Sequence, residues 1–153
     1  MVTITISPDY GYVLAAAVST FAVAQWLGMR VTPFRKAAKI PYPYEYASYE
    51  QVQTASPERA KAMILFNSAQ RAHQNFNENY PVALGAMLIA GLQYPKAAAI
   101  LGAVWSVNRV IYGWGYTQGL EGGKGRYYGI LWMFAHFGLI GYAGTSAWKI
   151  INM

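Results

Sequence analysis

The chain has no cysteine and few charges. Without cysteine, disulfides, thiolate metal sites and a protein thiol nucleophile are excluded, so any thiol chemistry must use a sulfur brought by a ligand. Charged residues make up 12% of the 153 positions, about half the share of an ordinary soluble domain. Acidic residues are scarcest, six Asp and Glu against twelve Lys and Arg, for a formal net charge of +6. No charge interrupts Tyr10 to Met29 or Tyr127 to Trp148. Met1 to Pro8 lack the basic start of a cleavable signal peptide, so the first apolar helix is expected to be retained. The glycines of Gly119 to Gly125 match neither dinucleotide nor phosphate-loop spacing. His73 and His136 are not at metal-ligand spacing, and no metal is expected.

What is present is apolar. Hydrophobic residues make up 55% and aromatics 16%, with a mean hydropathy of +0.17. A basic soluble protein would suggest nucleic acid. Here the basic residues flank apolar runs, so membrane orientation and anionic headgroups explain them and no nucleic-acid partner is expected. The reading is an integral membrane protein of the all-α class, one domain over 1–153, with four spans at about 10–31, 63–92, 96–117 and 127–150. A span needs about 20 apolar residues to cross ~30 Å of hydrocarbon.

Helix boundaries follow from local signals. The first helix should run on as a basic extension to Lys39 and stop near Ile40-Pro41. Pro41 to Ala55 reads as an ordered loop at headgroup level. Ser56-Pro57-Glu58 is a helix start, and that helix should reach about Leu92, with its first turns in water. The last helix is expected to start at about Arg126. Arg30, Arg35, Lys36, Lys39, Arg59, Lys61, Lys124 and Arg126 fall in the first and third loop regions, against Lys96 and Lys149 on the other side. The bias puts both termini in the lumen or exterior and the two basic loops in the cytosol.

The informative residues lie in Arg71-Ala72-His73-Gln74-Asn75-Phe76-Asn77-Glu78. At about 100° per residue, Arg71, Asn75 and Glu78 share a face. Ionic groups in an apolar helix need a polar partner. Two readings stand. Arg71 and Glu78 form an ion pair that locks helix packing, or the three form a row of ligand groups. The second is favoured by their separation, about 10 Å along the axis, which looks long for direct contact and suits a zwitterion. Arg109 is expected to find a protein partner such as Glu78, and His73 to point away from the Arg71 face. Tyr112 and Tyr116 share a face with Arg109; interfacial anchoring is their simpler explanation, as a positive-inside anchor is for Arg126.

The stretch Phe66 to Asn75 with Glu78 and Tyr80-Pro81 resembles the hallmark of the MAPEG family, membrane-associated proteins of eicosanoid and glutathione metabolism. Its Arg-Ala-His-Gln-Asn form is most similar to the microsomal glutathione S-transferase type 3 branch. Asp9 to Leu14 and Asn108 to Tyr116 agree with that branch. The resemblance implies a four-helix transmembrane bundle assembled as a homotrimer, with ligand sites between subunits near the cytosolic face. It implies a glutathione transferase or peroxidase of the endoplasmic reticulum, acting on a lipophilic electrophile or lipid hydroperoxide. By resemblance, Arg71, His73, Asn75, Glu78, Tyr112 and Tyr116 bind glutathione, and Arg35 reaches it from the neighbouring subunit. Arg126 stands where a relative, the leukotriene C4 synthase, activates the thiol; Lys124 is the competing candidate. Lys36 stands where that relative has an arginine proposed to protonate the opening epoxide. Asn79 replaces a tyrosine that contacts glutathione there. The alternative within the family is a non-catalytic, lipid-presenting scaffold of the 5-lipoxygenase-activating type.

Overall fold

The first helix, α1, spans Tyr10–Ala38 and ends as the following prolines require. Lys39 closes it in the left-handed region at φ 54°, its N–H reaching back to carbonyls of the last turn. The computed structural model describes residues 5–152. The reading of Met1 to Pro8 therefore rests partly on residues 1–4, which lie outside the described residues.

A short helix, α2, occupies Tyr49–Thr54, inside the stretch read as loop. Ser48 and Gln51 build its capping box, each side chain bonding to the other's backbone N–H at 3.1 and 2.9 Å. Next, α3 spans Pro57–Gly91 with Pro57 in its first turn, as the sequence predicts, although Ser56 makes no side-chain cap bond. A tight turn leads to α4, Pro95–Tyr116. The last helix, α5, covers Leu131–Ile151. Arg126 does not open it. That residue sits in a 3-10 segment, Glu121–Gly129, that carries four glycines, two of them at φ 60° and 64°. Such backbone disfavours an α-helix and postpones the last helix by five residues.

Helices α3 and α4 lie between α1 and α5, each outer helix packing on both, and the 3-10 segment lies along α4. Three apolar layers fill the interior. Val13, Met87, Ala90 and Leu139 form one, Leu27, Phe76, Trp105 and Ala135 the next, and Val31, Ile40, Met63 and Phe66 the third. The start of α1 and the end of α5 lie at one end of the molecule. Asp9 lies 3.6 Å from Lys96, and the Lys149 ammonium lies 4.7 Å from the Tyr94 ring.

Much of the outer surface is apolar. Phe134 and Phe137 on α5 are 70% and 65% exposed, with Leu14, Val18, Phe21, Ile100 and Val107 also turned outward. A surface of this kind suits lipid or a second copy of the chain. Among the described residues, α1 alone is long and apolar enough to cross a membrane by averaged hydropathy, with only 33% of the stretch buried within the chain. The other long helices miss that mark because α3 carries the polar strip, α4 is interrupted by Asn108-Arg109, and α5 carries His136 among its Trp, Tyr and Gly residues. Four spans were expected, and this measure by itself supports one.

Candidate functional site

Arg71 and Glu78 meet directly. The two guanidinium nitrogens of Arg71 donate to the two carboxylate oxygens of Glu78 at 2.6 and 3.1 Å. This corrects the expectation that two turns separate them too far. The rise of about 10 Å between them is bridged by the length of the arginine and the bidentate fit of fork to carboxylate. The pair is open, its side chains 41% and 48% exposed.

Asn75 turns inward from the same face. Its Oδ1 accepts from Arg109 Nη1 at 2.9 Å. The partner of Arg109 is thus Asn75, not Glu78, whose oxygens are taken by Arg71. Arg109 is fully buried, and its Nε and Nη2 find no protein acceptor. Aromatic rings surround the cation instead: Trp132, Tyr112, Phe76 and Trp105 have centroids 4.7, 4.8, 5.6 and 5.7 Å away.

His73 packs against Gly28 of α1, its Nε2 3.2 Å from Asn77 Nδ2. Asn79 is also used locally, its Nδ2 donating to the Asn75 carbonyl at 2.8 Å. His136 packs edge-on to Trp132 and Phe137, with Nδ1 lacking a protein partner.

A cleft of about 510 Å³ opens beside Arg71, between Tyr46, Asn67, Tyr116 and the turn Gly119 to Gly123. Its near wall is the loop before α2, fastened at two points. Asn67 pairs with both backbone groups of Ala47, each bond 2.9 Å. Arg35 Nη1 donates to the Tyr44 carbonyl at 2.5 Å, while its guanidinium lies over Tyr42 and Phe66 at 4.4 and 4.6 Å. Arg35 is thus buried against its own loop. The loop delivers Tyr46, whose hydroxyl donates to Gln74 Oε1. Burial pushes the Tyr46 phenol above its ordinary value, with Arg71 opposing.

On the far side, Tyr112 and Tyr116 stand edge to face at 5.6 Å. Arg126 lies 5.7 Å from the Tyr116 ring and 4.4 Å from that of Tyr127. Its Nη1 donates to the Gly122 and Gly123 carbonyls at 2.7 and 3.0 Å, and its Nη2 to the Tyr127 hydroxyl at 2.8 Å. A smaller cavity of about 160 Å³ lies between Arg126, Tyr112 and Trp132. Lys124 and Lys36 are both exposed. An apolar groove of about 610 Å³ between α1 and α4 has Lys96 as its one charged wall. Its α4 wall, Lys96 to Ala103, lies about 20–30 Å along α4 from Tyr116 and shares none of this chemistry.

The fold therefore brings Arg71, Asn75, Glu78, Tyr112, Tyr116 and Arg126 to one end of the helices. It leaves Arg35 in the loop wall and His73 against α1. Tyr46 and Trp132 did not stand out in the sequence, and Asn67 did so only as part of the Phe66 to Asn75 stretch, with no role assigned. Tyr46 was one of several tyrosines in a run suited to the headgroup belt, and nothing local separates it from Tyr42 or Tyr44.

Apolar outer faces, with a cleft lined by Arg71, Tyr46 and Tyr116, define a class, an all-helical protein of membrane type. The family model of the MAPEG family matches residues 13–148, and the chain belongs to that family. Its members are membrane-associated and include glutathione transferases as well as non-catalytic proteins. The chain is also similar to the uncharacterized protein sll1147 of Synechocystis sp. PCC 6803, 51% identical over 37 residues. That match covers 24% of this chain and 27% of the cyanobacterial protein.

Proposed function

We propose that this protein is a membrane-bound glutathione transferase and peroxidase, in which Arg126 holds the thiolate of glutathione. One observation carries the reading. An open Arg71–Glu78 pair and the Arg126 guanidinium stand on two sides of Tyr116, with Arg71 and Tyr116 lining one cleft and Arg126 a smaller cavity beside it. Glutathione offers carboxylates for Arg71 and an ammonium for Glu78, so binding exchanges their mutual contact for two contacts with ligand. Asn75, Tyr112 and Tyr116 supply neutral walls, and His73 lies at the edge of the strip.

A free thiol has a pKa near ~8.5, so little of it is thiolate at neutral pH. A guanidinium beside the sulfur favours the anion, each unit of depression being worth ~1.4 kcal/mol. The neutral carbonyls and hydroxyl that hold Arg126 leave its charge uncancelled. In the transferase reaction the sulfur attacks an electrophilic carbon of a lipophilic substrate, a C–S bond forms, and the leaving group departs with the electron pair. An opened epoxide takes a proton, which Lys36 of an adjacent protomer would supply. In the peroxidase reaction two glutathiones become a disulfide while the hydroperoxide becomes an alcohol and water.

The assembly in this reading is a homotrimer with four spans per chain, termini in the lumen, basic loops in the cytosol and an endoplasmic reticulum location. Sites lie between protomers. Arg35 would reach a glutathione carboxylate from the adjacent chain on releasing Tyr44. The test is Arg126→Ala in purified protein, which is expected to lower turnover of a model electrophile far more than glutathione binding; unchanged turnover refutes the assignment. The occupation of both Arg126 terminal nitrogens by its own turn favours a second reading, a lipid-presenting scaffold. Glutathione binding without turnover in the wild-type protein would select it.

A further inference from the structure

We infer that a glycine seam between α4 and the 3-10 segment sets the position of Arg126, making Gly115, Gly125 and Gly129 positioning residues for turnover. The inference rests on the reading of Arg126 as the thiolate-holding group. A Cβ on Gly125 would lie 2.0 Å from the Gly115 carbonyl oxygen, and one on Gly115 would lie 2.2 Å from the Gly125 oxygen. On Gly129 it would meet the Asn108 oxygen at 2.3 Å and the Tyr112 nitrogen at 2.6 Å.

Elsewhere among the described residues, the close glycines meet side chains that can turn. Gly91 faces Tyr10 and Val13, Gly102 faces Met87, and Gly113 faces Leu27. The three seam glycines meet backbone, which cannot rotate away, so any added carbon moves the whole segment. The seam continues into the site. A Cβ on Gly123 would sit 2.3 Å from the Tyr116 ring and 3.3 Å from Arg126 Nη1, and Arg126 is fastened to the same turn through Gly122 and Gly123.

Restoring ordinary contact at Gly125 takes a retreat of about 1 Å or more, and a misplacement of about 1 Å costs turnover roughly a hundredfold. Arg71, Asn75 and Glu78 are carried by a different element, α3. The seam therefore acts on Arg126 more directly than on the ionic grip of Arg71 and Glu78.

The experiment compares Gly125→Ala with Gly141→Ala in the intact detergent-solubilised protein, since a Cβ at Gly141 meets nothing within 4 Å. Glutathione binding is read by calorimetry, the bound thiolate by its ultraviolet absorbance against pH, and kcat and KM with 1-chloro-2,4-dinitrobenzene. Gly125→Ala is expected to keep glutathione affinity within about twofold, move the thiolate midpoint to higher pH and lower kcat about a hundredfold. Gly141→Ala is expected to change none of these. Should Gly125→Ala not fold, Gly123→Ala takes its place, read by the thiolate midpoint alone, with the same direction of pH shift expected and an unmoved midpoint overturning the seam. Unchanged kcat, or affinity and kcat falling together, overturns the seam. A wild-type protein with no bound thiolate overturns the reading beneath it, whereas a wild-type thiolate unmoved in the variant overturns the seam alone.

Discussion

Asn75→Leu should be one of the most destabilising single changes in this chain, and the reason is Arg109. That side chain is fully buried, and its protein hydrogen-bond acceptor is Asn75 Oδ1 at 2.9 Å. Two other guanidinium nitrogens already lack partners. Four aromatic rings hold the charge, each worth about 0.5–2 kcal/mol, but none replaces a lone pair in line with an N–H. A hydrogen bond to a charged group is worth about 1.5–3 kcal/mol, and stranding a buried charge costs up to about 3–5. The expected loss is about 3 kcal/mol, or roughly 6–12 °C in melting temperature for a chain of this size. Removing the cation as well should return most of it, so Asn75→Leu with Arg109→Met is expected to be more stable than Asn75→Leu alone. The assay is thermal unfolding in detergent without glutathione, as a double-mutant cycle. A loss under about 0.5 kcal/mol, or simple additivity, would refute the argument that one amide supports this cation.

Other outcomes follow from the same geometry. Arg71→Met and Glu78→Gln should barely move the melting temperature, since the pair is exposed, yet each should weaken glutathione binding at least tenfold by calorimetry. Because burial raises the Tyr46 phenol, its contribution to stability is present below the ordinary tyrosine value near ~10 and is lost as pH rises through the higher folded value. Unfolding followed between neutral and strongly alkaline pH should show that loss, and Tyr46→Phe should shrink it. Ser48→Ala removes half the capping box of α2 and should cost about 1 kcal/mol locally, read as faster amide exchange over Tyr49–Thr54 with the rest of the chain unchanged.

The α2 cap shows what a closer reading of the sequence would have found. Ser48 and Gln51 have the spacing of a capping box, but the tyrosines and prolines around them pointed to loop. The four long helices were legible because apolar runs and proline stops are local properties. Their ends fall within a residue or two of expectation at Ala38, Pro57, Gly91 and Tyr116. The late start of α5 was not legible in the same way. Gly123 lies against the Tyr116 ring of α4, a contact made across the fold.

The sequence alone settled the helical class and the face shared by Arg71, Asn75 and Glu78, because periodicity fixes which side of a helix a residue occupies. It brought Arg126 into the argument only by resemblance. Tertiary structure decided the partners: Arg71 with Glu78, Asn75 with Arg109, Arg35 with the Tyr44 carbonyl, and Arg126 with its own glycine turn. The physical reason is reach. A long side chain selects among acceptors within several ångströms, and which acceptors are there depends on how other helices, distant in sequence, come to lie alongside.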